Sequence, residues 1–192
     1  MKMGVYSIMT AKQFLAFLLL IFLAGCSGNL ELKSKTQTQE LNQIQIIGTG
    51  IGDIPPDFTV VSSDGKAIRL SSLLEQKKPI IIYFMATWCP YCAEDYGVLS
   101  GIYKDYENEI IFASIDLDLN ENVFDLAKYR KRYPMLESMI FAEGQEQILQ
   151  DYSVTKTTTK YAVARNGTII YKTIGAFNEE EWKLLLDALV KT

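Results

Sequence analysis

Pro79-Ile80-Ile81-Ile82-Tyr83-Phe84-Met85-Ala86-Thr87-Trp88-Cys89-Pro90-Tyr91-Cys92 carries the reading that decides the fold. Residues 80–85 are apolar one after another, as expected of a central strand covered on both faces rather than of an alternating edge strand. Proline suits the first helical position, where its missing N–H is not needed, so Pro90 places Cys89 at or beside a helix N-cap. Cys89 then faces unpaired backbone N–H groups and the positive end of the helix dipole, which favour a thiolate over a thiol. Cys92, one turn further in, is expected on the same face and better shielded. The two can close a small disulfide ring, with Cys89 attacking and Cys92 resolving, so sulfur chemistry leads the functional reading.

On the N-terminal side, Phe58-Thr59-Val60-Val61 and Ala67-Ile68-Arg69-Leu70 flank the turn dipeptide Asp64-Gly65 and predict a short hairpin. Ser71-Ser72-Leu73-Leu74 predicts a helical turn ahead of Pro79. On the C-terminal side the helix opened by Pro90 is expected to run to about residue 107, followed by a strand over 110–115 and a helix over 123–132. That strand, helix, strand unit requires a right-handed crossover in a parallel sheet. Tyr161-Ala162-Val163-Ala164 and Thr168-Ile169-Ile170-Tyr171 bracket Arg165-Asn166-Gly167 and predict a second hairpin. A closing helix over 179–191 carries Trp182, Leu185, Leu186 and Leu189 on one stripe. The pattern is α/β: a central mixed β-sheet flanked by helices on both faces, with an added N-terminal β-hairpin. Residues 51–192 suffice for one domain with one core, and no internal repeat interrupts them.

Residues 1–25 have the layout of an export signal, with Lys2 and Lys12 in a basic region before an apolar stretch over 14–23 that is too short to span a bilayer. Leu23-Ala24-Gly25-Cys26 resembles the lipobox of bacterial lipoproteins, which makes Cys26 the expected lipidated N-terminus; an ordinary signal peptide with an incidental Cys26 is the alternative. Lipidation also resolves the odd count of three cysteines, since it leaves one pair. Residues 26–50, rich in Gln, Thr, Ser, Lys and Asn after the cysteine, predict a flexible tether. Loss of Lys2 and Lys12 leaves 17 basic residues against 23 acidic ones, a formal charge of −6 that favours neither nucleic acid nor anionic headgroups. The expected location is the bacterial cell envelope, with the domain in the periplasm or extracytoplasmic space and held to a membrane by lipid on Cys26.

From Pro56-Asp57-Phe58 through Asp64-Gly65-Lys66 and Phe84-Met85-Ala86-Thr87-Trp88-Cys89-Pro90-Tyr91-Cys92 to Asn166-Gly167, the chain resembles the TlpA/ResA-like branch of the thioredoxin superfamily. The resemblance implies a thioredoxin-like fold and an exported thiol-disulfide oxidoreductase acting on protein disulfide or dithiol substrates. It also implies a thiol electron donor and, for several family members, service in cytochrome c maturation. By position it makes Cys89 the nucleophile and Cys92 the resolving cysteine of a redox-active disulfide. Asp95 falls where members often carry a glutamate beside the active site, and a partly buried carboxyl there could move protons for Cys92. Alternatively, Glu94 and Asp95 form a solvated acidic start to the helix. Trp88, Pro90, Tyr91, Thr157 and Thr158 belong to the implied active-site loops.

Three departures stand out. Thr158 occupies the position at which the superfamily places a cis-proline facing the cysteines; a cis bond before a non-proline residue costs about 2.5–4 kcal/mol, so a trans loop is expected. Gly97 replaces a helix-bending proline, and the Pro90-Tyr91 pair between the cysteines is like that of glutaredoxins. Altered partner recognition, relaxed exclusion of metal and a hydrogen bond from the Thr158 hydroxyl to sulfur are the possible consequences.

Two rival chemistries follow from the same residues. A thiolate metal-binding protein or copper metallochaperone would use Cys89 and Cys92, with Met85 near in sequence; the chain has no histidine with which to complete a zinc site. A peroxiredoxin-like peroxidase would need threonine and arginine around Cys89, for which Thr87, Arg69 and Arg165 are the candidates. The missing histidine also excludes Cys-His and Ser-His catalysis, no glycine-rich phosphate loop is present, and neither a metal nor a cofactor is expected. The acidic run Asp116-Leu117-Asp118-Leu119-Asn120-Glu121 lacks EF-hand spacing and reads as a solvated loop.

Overall fold

The computed structural model describes residues 45–192, in which strands β1 (Thr59–Val61), β2 (Ala67–Arg69), β3 (Ile80–Met85), β4 (Ile111–Asp116), β5 (Ile140–Ala142), β6 (Thr159–Val163) and β7 (Ile169–Thr173) alternate with helices. The helices are α1 (Leu70–Leu74), α2 (Pro90–Ile102), α3 (Val123–Arg130), α4 (Glu146–Asp151) and α5 (Glu179–Val190). Five strands form one mixed sheet in the order β5-β4-β3-β6-β7, while β1 and β2 form a separate two-stranded sheet. This is the expected architecture. The signal segment and Cys26 lie outside the described residues.

Every residue of β3 is fully buried because the strand is central and has helices on either side. Its odd-numbered residues Ile81, Tyr83 and Met85 pack with Tyr96 and Leu99 of α2, Leu126 of α3 and Trp182, Leu186 and Leu189 of α5. The even-numbered Ile80, Ile82 and Phe84 pack with Leu70 and Leu73 of α1, Ile148 of α4 and the hairpin residues Phe58 and Val60. Such burial of a large apolar side chain contributes about 1.5–3 kcal/mol each, which is why β3 fixes the sheet.

Register brings distant residues together. The antiparallel β3–β6 pairing sets Tyr83 opposite Lys160, and the parallel β3–β4 pairing sets Tyr83 opposite Ser114 and Met85 opposite Asp116. A polar row, Ser114-Tyr83-Lys160, therefore crosses three strands beneath α2.

Several boundaries differ from expectation, and two short elements are new. The helix after the cysteines ends at Ile102 and tightens into a 3-10 turn over Tyr103–Asp105, whose Tyr103 hydroxyl donates to the Ile110 carbonyl at 2.9 Å. Helix α3 stops at Arg130, having begun at an Asn122–Asp125 capping box. The short β5 and α4 have no counterpart in the sequence reading, since three residues of strand and six of helix are too few for periodicity to register. Ile46, Gly48 and Ile54 exchange backbone hydrogen bonds of 2.8 and 2.9 Å, and Gly52 N–H reaches the Ile169 carbonyl at 2.8 Å. The domain boundary expected at residue 51 thus falls inside a loop folded against the β6–β7 hairpin. Among the described residues no helix is long and apolar enough to cross a membrane.

Candidate active site

Cys89 is the N-cap of α2, with extended backbone (φ −76°, ψ 116°), and Pro90 is its first helical residue. The helix starts here because β3 ends at Met85 and Pro90 fixes the first helical φ. Cys89 Sγ accepts the Cys92 N–H at 3.2 Å, so the sulfur satisfies one of the helix's orphan donors. Both cysteines are unbridged; Cys92 is fully buried and Cys89 is 2% exposed. Burial, and then the adjoining Cys89, push the Cys92 thiol up to about 12. Cys92 is therefore protonated at neutral pH and needs an acceptor before it can act as a nucleophile.

Trp88 and Tyr91 stand out from this junction, each 61% exposed. Together with Leu117, Thr157, Thr158 and Gly175 they line a groove of about 440 Å³. Thr158 is not part of β6, which begins one residue later, and it adopts a left-handed φ of 62° that is unusual for a β-branched side chain. Its hydroxyl accepts the Gly175 N–H at 3.1 Å and donates to the Thr157 carbonyl, which ties the two loops of the groove together. That hydroxyl is thereby committed to backbone, away from sulfur. Every peptide bond among the described residues is trans.

Asp95 is completely buried, not part of a solvated helix start. The Tyr83 hydroxyl donates to its Oδ2 at 2.7 Å, while Phe177 N–H and Trp182 Nε1–H donate to Oδ1 at 2.7 and 2.9 Å. Lys160 Nζ lies 3.1 Å from Oδ2, and both side chains of this ion pair are fully buried. Cys92 lies three residues before Asp95 on α2, on the same face, and Tyr83, which donates to that carboxylate, also influences the Cys92 thiol. Burial lowers the Lys160 pKa, against the pull of Asp95. A pair held this way is costly to leave half-made, since removing one partner strands a charge in an apolar interior. The sequence reading found Asp95 but not Lys160, Tyr83 or Trp182 beside it. A lysine at the start of an otherwise apolar strand was the available signal.

The acidic run after β4 is also built in, which corrects its reading as a solvated loop. Glu121 accepts the Thr87 N–H at 2.8 Å and the Thr87 hydroxyl, and Asp118 accepts the Trp88 indole N–H at 2.7 Å. Asp116 is fully buried; its Oδ1 accepts the Asp118 N–H at 2.9 Å while Oδ2 has no donor and faces Glu121. Burial raises the Asp116 pKa to about 8, helped by the Glu121 and Asp118 charges. The loop before Cys89 is thus clamped by carboxylates that the parallel register delivers. Gly144 packs so closely on this turn that a Cβ there would meet the Asp116 carbonyl oxygen.

The groups a peroxidase would need do not gather at Cys89, and a copper site among the described residues would have the Cys89 and Cys92 sulfurs alone. Among the described residues no group of three or more His, Cys, Asp or Glu converges, and Met85 is core, fully buried against α2. Thr87 is bound to Glu121, Arg69 pairs with Asp57 at 2.8 Å, and Arg165 pairs with Glu109 at 3.3 Å, near the opposite end of β3 from Cys89.

A Cys-x-x-Cys at the start of the helix that follows the central strand of a mixed sheet defines a thioredoxin-like protein. The fold matches that of a protein described as thiol:disulfide interchange protein DsbE from Chlorobium tepidum, with a TM-score of 0.64 and 20% identity over 74% of this chain and 99% of that one. A profile of the AhpC/TSA family matches residues 51–175, and the chain belongs to that family. The thiol-disulfide oxidoreductase ResA of Bacillus cereus is 27% identical over 131 residues, 68% of this chain and 73% of the relative. The thioredoxin-like protein YneN of Bacillus subtilis is 26% identical over 179 residues, 92% of this chain and 98% of the relative.

Proposed function

We propose that Cys89-Pro90-Tyr91-Cys92 is the redox centre through which this thiol-disulfide oxidoreductase exchanges disulfides with partner proteins, working as a reductase in the cell envelope. The observation that carries the assignment is the Cys89 sulfur at the N-cap of α2, accepting the Cys92 N–H at 3.2 Å, with Cys92 buried one turn behind it. Cys89 attacks a partner disulfide, and one partner sulfur leaves as thiolate while the other is joined to Cys89. Cys92 gives up its proton with the help of Asp95, attacks Cys89 Sγ and releases the second partner sulfur. A thiol donor then re-reduces the Cys89–Cys92 disulfide.

Trp88, Tyr91 and the Thr157-Thr158 loop form the surface on which a partner chain settles; their exposure and the groove between them support this. Attachment to a membrane through lipid on Cys26 rests on the Leu23-Ala24-Gly25-Cys26 motif, and service in cytochrome c maturation rests on the family resemblance.

The test is the potential of the Cys89/Cys92 couple together with trapping by Cys92→Ser. A value of about −250 mV or lower supports a reductase, one of about −120 mV an oxidant. Absence of any reversible two-electron couple, or of any mixed disulfide on Cys89 in Cys92→Ser cells, would overturn the assignment.

A further inference from the structure

Lys160 makes more interactions than an ion pair needs. Its ammonium lies 3.1 Å from Asp95 Oδ2, donates to the Thr158 carbonyl at 3.3 Å and also donates to the Gly175 carbonyl, so all three N–H bonds are used. The rings of Phe177, Tyr83 and Trp182 surround it, with centroids 4.5, 5.1 and 5.2 Å away. Such a setting partly replaces the lost hydration of the cation. Thr158 and Gly175 line the groove, and Asp95 lies behind Cys92, so this one buried cation touches both the loops a partner would meet and the group that would take the resolving thiol's proton.

We infer that Lys160 is a positioning residue for the resolving step: it fixes the Asp95 carboxylate against Tyr83, so that the Cys92 proton has a prepared route away from sulfur. In that step Tyr83 passes its hydroxyl proton to Asp95 Oδ2 and takes the Cys92 proton. The Cys92 thiolate forms a bond to Cys89 Sγ, and the bond from Cys89 to the partner sulfur breaks, its electron pair leaving on the partner thiolate. The partner disulfide is the only oxidant in the step, and Asp95 passes the proton on to solvent after the partner leaves. The groups facing Cys92 are Cys89, Tyr83, Tyr96 and Tyr129, and those facing Lys160 are Asp95, Cys92 and Glu181. Among the described residues Lys160 is the one cation that contacts Asp95.

This inference rests on the proposed exchange mechanism, and the experiment separates the two. Reduced full-length protein in detergent is mixed with 5,5′-dithiobis(2-nitrobenzoate) in a stopped-flow instrument, across pH. Cys89 releases the first thionitrobenzoate on attack, and Cys92 releases the second on resolution. In Lys160→Met the second phase is expected to slow by about 10- to 100-fold relative to the first, the scale set by a displaced proton acceptor, and to shift its pH profile upward. A second phase in Lys160→Met with the wild-type ratio and pH profile would overturn the role of Lys160 alone. Failure of wild type to release a second equivalent would instead sink the exchange mechanism. Should Lys160→Met not fold, wild type labelled with 15N-lysine serves: the protected Nζ resonance of a buried ammonium is expected to move between reduced and oxidised protein, and an unchanged resonance would refute the coupling.

Discussion

Asp116→Asn is expected to stabilise the protein, and only above the pH at which an ordinary aspartate ionises. Asp116 is fully buried, its Oδ2 has no donor, and Glu121 faces it. Burial, and then the neighbouring Glu121, favour the protonated form of Asp116. The folded-state pKa is about 8 against an ordinary 3.8. The sign follows from proton counts: between those values the unfolded chain has released its Asp116 proton and the native chain retains it, so stability is lost as pH rises from about 4 to about 8. Each pH unit in that window costs about 1.4 kcal/mol, which makes about 4 kcal/mol by pH 7.

Asparagine does not titrate. Its oxygen can still accept the Asp118 N–H, and its amide can donate to Glu121 as the protonated Asp116 carboxyl would. Urea unfolding followed by tryptophan fluorescence, which reports the buried Trp182, would be measured for both proteins from pH 4 to pH 8. The variant should gain about 3–4 kcal/mol on wild type between pH 4 and pH 7. A difference that changed by less than about 1 kcal/mol over that range would refute a proton held on Asp116 in the native chain.

Two further outcomes follow from the buried charges and thiols. Asp95→Asn leaves the Lys160 ammonium buried without its counter-charge and should lower stability by about 3–5 kcal/mol, whereas Asp95→Asn/Lys160→Met should recover most of that loss; an additive double variant in urea unfolding would deny the coupling. In reduced protein at pH 8, iodoacetamide should modify Cys89 and leave Cys92 untouched until the chain is denatured, because burial holds the Cys92 pKa near 12. Equal labelling of both sulfurs, read by fragmentation of the peptide that contains them, would contradict the shielding of Cys92.

What the chain alone determined was set by short-range rules. Six consecutive apolar residues between turn signals favour a strand covered twice, Pro90 favours a helix start, and Asn166-Gly167 favours a tight hairpin, where Gly167 takes a φ of 87°. Strand, helix and cysteine placement followed from residues within a few positions of each other. The chemistry around the thiols was decided by tertiary structure. Lys160 meets Asp95 only because β6 pairs antiparallel with β3 in a register that sets it opposite Tyr83, and Asp116 is buried only because β4 pairs with β3 in parallel and sets it opposite Met85. A one-residue slip in either register would turn those side chains to the other face. Asp116 reads as solvent-facing in the linear sequence, and Asp95 reads as either partly buried or solvated, since burial of a charge is a property of the partners that the fold delivers to it.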